Sequence, residues 1–403
     1  MIRKIIHLDL DAFFCAVEEQ HDPSLRGKAF AVGGMPEHRG VIASCSYPAR
    51  KYGIHSAMPT ARALQLYPDL IVVSGRHRHY GDMSRKVMEH LYNRSDLVEQ
   101  ISIDEAFIDV SDLKAEAGTL ARELQADIWT ALHLPCSLGV ATNKLVAKIA
   151  NNVGKVSAST TGPPMAIKII PPGQEAAFLA PLPVRELWGV GPKTAEDLEQ
   201  LGIQTIGDIA QWPVDDFIAR FGQHGEDLAR RARGIDTRPV STEHETKSIS
   251  QETTFARDIT DPDQLHRTLL HQVENVGLRL RRADLLGSTV KIKLRWADFT
   301  TLTRQMTLDM PTNQDDAILK AAEQLFAKTW IPLKPVRLLG VGISGFELPG
   351  RQLSLWETHA QRGERLQQAL DTVRDRYGKR AIRRAVDVDG PAQNDERDKE
   401  TST

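Results

Sequence analysis

A chain of 403 residues has room for two to four domains, each able to bury a core of its own. Hydrophobic residues make up 41% and charged residues 26%, and no apolar run approaches the ~18 residues that span a bilayer, which argues against membrane insertion. With a net charge of −2 there is no global attraction for nucleic acid, so any such binding has to come from local basic surfaces.

The start of the chain carries Arg3 and Lys4 but no apolar signal core or small-residue cleavage site, and it runs straight into a strand, so a cytosolic protein is expected. Ile5 to Leu10 is a buried-strand pattern and Asp11 to Glu19 the helix that follows, with a corner near Asp11. Strands are expected around Ala29 to Val32, Val41 to Ser44 and Leu70 to Val73, and helices at Tyr47 to Tyr52 and Thr60 to Leu66. Arg76, His77, Arg78 and His79 read as exposed. Ile101 to Val110 is an apolar strand interrupted by acids, and Ser137 to Val140 is another. A helix from Lys144 to Asn152 and an aperiodic stretch, Lys155 to Pro164, close this α/β part. Cys15, Cys45 and Cys136 form no Cys-x-x-Cys pair, so reduced, partly buried thiols are expected rather than a disulfide framework or a zinc site.

From about Leu182 to Gly234 short helices alternate with glycines. Pro192 stands just inside one helix and Gly202 just past its end, as helix boundaries favour, and Phe221 to Gly225 repeats the idea. The polar segment Ile235 to Lys247 reads as a linker, and strands and helices then alternate to about Phe346. In the last helix Leu366, Leu370, Val373 and Tyr377 fall on one apolar face, with Gly378 as its stop, and from about Asp387 the charged, polar tail is expected to be disordered.

Two acidic clusters interrupt apolar strands: Asp9 with Asp11, and Asp104 with Glu105. A carboxylate in a buried strand is costly unless compensated, and a divalent cation is the strongest compensation available. Oxygen-only ligands suit Mg²⁺, which binds through a few carboxylates plus substrate phosphates and so implies a nucleotide substrate. Two such ions about 4 Å apart would activate a primer hydroxyl and stabilise leaving pyrophosphate. The bland alternative, acids at strand ends in solvent or paired with arginines, stays open for a lone Asp-x-Asp.

Three blocks go further. His7 to Phe14, Tyr47 to Ile54 with Ser56 to Thr60, and Ser102 to Phe107 resemble, in order and near spacing, the signature blocks of the bacterial, DinB-type branch of the Y-family DNA polymerases. The similarity runs from the N-terminus to about Phe346. It implies a multidomain α/β (α+β) right hand: a ferredoxin-like palm (1–11 and 75–164), small fingers (12–74), a helical thumb with helix-hairpin-helix turns (165–234), a linker (235–246) and an α/β little finger (247–349). A clamp-binding peptide (350–357), a C-terminal helix (358–386) and the tail (387–403) complete the expected layout.

The resemblance further implies that Asp9, Asp104 and Glu105 are catalytic and hold two Mg²⁺ ions with help from the carbonyl of Leu10, whereas Asp11 is structural. Tyr47 and Arg50 match the pair that grips the triphosphate, a task suited to the planar arginine fork, and Ser44 lies on the same strand. Phe14 matches the steric gate, a ring that would clash with a ribose hydroxyl, and Phe13 is assigned to the core. Lys155 matches a triphosphate-contacting lysine, although the usual Lys-Pro is replaced here by Lys155-Val156.

For DNA, Gly189, Gly191 and Lys193 and then Gly222 and Gly225 resemble hairpin turns whose amides approach a phosphate, although a lone Gly-x-Gly is more often just a tight turn. Lys291, Lys293 and Arg295 alternate with Val290, Ile292, Leu294 and Trp296, which puts three cations on one sheet face as a phosphate groove. Arg279, Arg281 and Arg282 are expected to extend that surface. Gln352, Leu353, Leu355 and Trp356 resemble the peptide by which bacterial polymerases bind the β sliding clamp. A monomer acting on primer-template DNA and deoxynucleoside triphosphates is therefore expected. The alternatives are a nucleotidyl cyclase, which would need neither hairpin turns nor a clamp peptide, and a non-catalytic clamp-bound scaffold, which would be expected to lack the acids.

Overall fold

The computed structural model describes residues 2–158, 162–243, 245–347, 358–378 and 381–382, in two compact units, Met1–His244 and Glu245–Thr403. The clamp-like Gln352 to Trp356 and the tail from Asp387 lie outside the described residues.

In the first unit β1 (Ile5–Leu10) turns into α1 (Phe13–His21) at Ala12, a non-glycine residue in the left-handed region (φ 48°). A small three-stranded sheet follows, from β2 (Phe30–Gly33), β3 (Ile42–Cys45) and, beyond α2 (Tyr47–Arg50) and α3 (Thr60–Leu66), β4 (Ile71–Val73), in the order β3-β2-β4. The chain then runs through α4 (His77–Tyr92), β5 (Val98–Gln100), β6 (Glu105–Asp109), α5 (Ala117–Leu132), β7 (Cys136–Ala141), α6 (Lys144–Ser157) and β8 (Ile167–Ile169), and the main sheet has the order β5-β6-β1-β7-β8.

Period-two alternation decides what each face of this sheet carries. Ile6, Leu8 and Leu10 of β1, with Ala106 and Ile108 of β6, pack on Tyr80, Met83, Val87 and Leu91 of α4 and on Leu124 and Ile128 of α5. The opposite face presents Ile5, His7 and Asp9, with Glu105 and Phe107 opposite, to α6. Helix α6 lies almost on the backbone of β7. A Cβ on Gly139 would stand 1.9 Å from the carbonyl oxygen of Ala147, so no other residue fits there without moving the helix.

The rest of the unit is helical: α7 (Glu175–Leu179), α8 (Pro192–Gln200), α9 (Ile206–Gln211), α10 (Val214–Phe221) and α11 (Gln223–Ala232). Pro192 opens α8 as expected. Gly222 ends α10 and opens α11 at φ 61°, but Gly225 is not part of that turn. It is buried inside α11, where a Cβ would meet the Phe217 carbonyl oxygen at 2.4 Å.

The segment read as a free polar linker is docked over its first half. Arg3 donates to the carbonyls of Asp236 (2.7 Å) and Arg238 (2.9 Å), Asp236 accepts from the Leu145 amide, and Val240 is buried. Two of these bonds are accepted by backbone carbonyls of the segment and one by the Asp236 carboxylate.

The second unit comprises β9 (Ser248–Ile259), α12 (Pro262–Arg282), β10 (Leu286–Trp296), β11 (Thr301–Thr312), α13 (Asp315–Thr329), β12 (Val336–Glu347) and α14 (Thr358–Tyr377). Its antiparallel sheet, β11-β10-β12-β9, buries Val290, Ile292, Leu294 and Trp296 against α12 and α13 and, among the described residues, leaves its other face open. Of the apolar face read in helix α14, Leu370 and Val373 are half-buried, whereas Leu366 and Tyr377 are exposed and Gln367 is buried. Polar contacts also tie the helix on. Arg281 of α12 holds Asp315 (2.8 Å) and Asp371 (2.6 Å), Gln367 donates to Asp315 (3.0 Å), and Arg374 reaches Glu274 (3.4 Å).

Arg281 and Arg282, which pairs with Asp375, are thus tied to α14, so two of this trio are taken up by ion pairs, whereas Arg279 is exposed and donates to the Ser250 carbonyl (2.8 Å), a bond that leaves its charge in place. Arg281→Met strands the buried Asp315 and the half-buried Asp371 and is expected to destabilise the second unit by about 3 kcal/mol, since breaking a buried pair from one side leaves a charge uncompensated. Urea unfolding of the full chain measures this; an unchanged midpoint would show that the network carries no stability.

Candidate active site

The acids meet at one end of two paired strands. Asp9 and Glu105 are register partners across β1 and β6, and the Leu10 amide donates to the carbonyl of Asp104 (3.0 Å). The expected strand from Ile101 to Val110 is broken just before them, with β5 ending at Gln100 and β6 beginning at Glu105. Ser102 makes the break: its Oγ donates to Asp104 Oδ1 (2.5 Å) and accepts from the amides of Asp104 (3.2 Å) and Glu105 (3.0 Å). Asp104 therefore sits in a tight turn rather than inside a buried strand.

Among the described residues no three acidic, histidine or cysteine side chains already converge as a metal cage. The carboxylates are instead held by two lysines of α6. Lys148 Nζ is 2.7 Å from Glu105, and Lys155 Nζ is 2.5 Å from Asp9 and 3.4 Å from Asp11. Lys155 belongs to the helix, which runs to Ser157, and does not follow it. Burial pushes the Asp9 carboxyl from 3.8 to about 7, with Lys155 pulling it down and Glu105 pushing it up. Its folded value thus lies above its unfolded one. In the metal-free protein Asp9 contributes stability that is lost as pH rises from about 4 to about 7.

A site whose facing carboxylates draw in two ammonium groups, and whose donors are all oxygen, fits a hard divalent cation. Asp11 is of another kind. It is fully buried, accepts from Ser137 Oγ at 2.9 Å on both oxygens and from the Met165 amide (3.0 Å), and ties β1 to β7.

Phe13 is in the core, whereas Phe14 is half-buried and stacks on Tyr80 (centroids 4.2 Å apart, 13° between planes). Three residues that brace this ring were missed from the sequence. Tyr80 donates to the buried Glu18 (2.5 Å), and Arg76, read as exposed, lies 3.1 Å from the other Glu18 oxygen. The one available signal was spacing: Phe14 and Glu18, like Arg76 and Tyr80, stand four apart and so share helix faces.

The Arg50 guanidinium lies over the Tyr47 ring at 4.4 Å, which brings that expected pair together. Burial, and next the Asp11 carboxylate, push the Tyr47 hydroxyl up. Ser44 is buried and accepts from the Cys15 thiol (3.6 Å).

Gly189 and Gly191 are exposed in the turn before α8, and Lys193 is exposed on its first turn. In the second unit Lys291, Lys293 and Arg295 do share the open sheet face, flanked by Gly340 and Gly342 of β12. The row is not of one sign, however, because Lys293 pairs with Glu252 (2.9 Å).

Three family models match the chain: the impB/mucB/samB family over residues 8–152, the IMS family HHH motif over 172–203, and the impB/mucB/samB family C-terminal domain over 246–355. The DNA polymerase IV of Desulfatibacillum aliphaticivorans is 39% identical over 397 residues, covering 97% of this chain and 98% of that protein. That of Listeria monocytogenes serotype 4b is 39% identical over 348 residues, covering 86% of this chain and 96% of the relative. Among solved structures, a chimaeric Y-family DNA polymerase superposes with a TM-score of 0.75 at 24% identity, over 86% of this chain and 99% of its own. The likeness extends over nearly the full length of the relatives and includes the strands that carry the acids, so the chain belongs to the Y family of DNA polymerases, DinB type, and is a DNA-directed DNA polymerase.

Proposed function

We propose that the protein adds deoxynucleotides to a primer 3′ end by phosphoryl transfer at Asp9, Asp104 and Glu105, without proofreading, and copies past damaged template bases as a monomer. The observation that carries this reading is the register pairing of Asp9 with Glu105, with Asp104 beside them, where cationic charge is already drawn in. Two Mg²⁺ ions, held by these three acids and the Leu10 carbonyl, supply an acidified primer hydroxyl and neutralised phosphate charge when bound.

The chain's own groups do the rest. Tyr47 and Arg50, with Ser44 and Lys155, bind and orient the triphosphate, and Phe14 excludes ribose. The turns at Gly189 and Gly191, with Lys193, and at Gly222 offer amides and charge to duplex phosphates. Gly225, buried under Phe217, supports that turn by close packing rather than by contact. Lys291, Lys293 and Arg295 bind phosphates on the sheet face. Synthesis without an exonucleolytic check belongs to the reading because palm, fingers, thumb and little finger would account for the described elements up to β12, with the single helix α14 beyond them.

Purified protein with Mg²⁺ should extend a primed template through a lesion that stops a replicative polymerase. Extension that halts at the same lesion would remove the damage-tolerance part, and no extension on undamaged template would remove the whole.

Gln352 to Trp356 is proposed to bind the β sliding clamp. Deleting it is expected to abolish stimulation by the clamp while basal extension stays at the full-chain level. An equal loss of both activities would assign the segment a structural role.

A further inference from the structure

Helix α6 aims more than one cation at the acids of the palm. Lys144, Lys148 and Lys155 lie within about 40° of arc at 100° per residue, on the face that covers Ile5, His7 and Asp9. Each meets a different carboxylate: Lys144 holds Glu99 (2.7 Å), Lys148 holds Glu105 (2.7 Å), and Lys155 holds Asp9 (2.5 Å). The helix is pinned in that orientation. Asn151, on the same face, donates to His7 Nδ1 (2.9 Å) and to the Ser137 carbonyl (3.0 Å), and Gly139 brings α6 onto β7.

We propose that Lys148 and Lys155 are counter-cations built into the metal site, which hold Glu105 and Asp9 in the metal-free enzyme and are displaced when divalent ions enter. The proposal rests on the reading of Asp9, Asp104 and Glu105 as metal ligands. Two facing carboxylates repel each other in a partly desolvated site, and a fixed cation beside each offsets part of that repulsion and holds the side chain in place. Exchange needs somewhere for a displaced ammonium to go. For Lys148 two places are present: its side chain reaches solvent, and its Nζ is 5.8 Å from the centre of the Trp188 ring, which the Arg238 guanidinium already shares at 4.6 Å. Trp188 packs on Phe107, two residues from Glu105, so the swing is short.

The test is calorimetric titration of Mn²⁺ alone into the full chain. A competing cation weakens apparent affinity by the fraction of sites it occupies, so Lys148→Met and Lys148→Gln should bind Mn²⁺ about three- to tenfold more tightly than wild type. Their metal-free unfolding midpoints should fall and recover in saturating Mn²⁺, whereas Lys148→Arg should keep wild-type affinity. Unchanged or weaker Mn²⁺ binding by both neutral variants overturns the exchange. No Mn²⁺ binding by wild type, or binding unaffected by Asp104→Ala, overturns the metal reading of the acids instead.

Discussion

Asp104→Ala is expected to abolish primer extension, with a loss on the order of 10³-fold or more, the scale seen when a preorganised charge-stabilising group is removed from a reaction centre. The residue stands in a turn built by Ser102 and is not part of any buried core, so its removal leaves the strand pairing of Asp9 with Glu105 in place. DNA affinity should change little, because the proposed phosphate contacts come from other elements. A single-turnover extension assay beside a binding titration separates the two effects. Retained extension would show that the acids do not do the chemistry, and a parallel loss of DNA binding would show that the fold was damaged.

Phe14→Ala should admit ribonucleotides. The ring is held flat against Tyr80, which is itself fastened through Glu18 and Arg76, so it does not yield easily to an added hydroxyl. Overpacking of one heavy atom against such a surface costs about 1–3 kcal/mol, and discrimination against ribose should fall by roughly 10- to 100-fold. The ratio of kcat/KM for matched deoxy- and ribonucleotides reports it. Unchanged sugar selectivity would place the gate at another side chain.

Local pattern in the sequence carried much of this architecture. The apolar runs of β1 and β7, the helix stop at Gly202 and the alternating Lys291 to Trp296 all appear where period and end signals put them, because each depends on neighbours close in the chain. The misreadings share a cause in long-range partners. Helix α6 continues past Gly154 because that glycine packs on Ala166 and Lys168, so Lys155 is helical.

Helix α14 brings Gln367 and Asp371 inward beside Leu370 and Val373 because the half-buried Arg281 of α12 and the buried Asp315 of α13 pair with them. Lys148 had no distinguishing mark in its own neighbourhood; its partner is 43 residues away. The acids themselves were legible because charge in an apolar run is anomalous wherever the chain goes next.

Glu252 has a kinetic corollary. A phosphate arriving at Lys293 on the proposed DNA-facing sheet finds the ammonium already engaged by that carboxylate, so the contact it gains is a swap of partners rather than a new ion pair. The grip at that point is shallower than three cations in a row suggest, and dissociation correspondingly faster. Such a surface suits an enzyme that adds a few nucleotides and vacates the primer end.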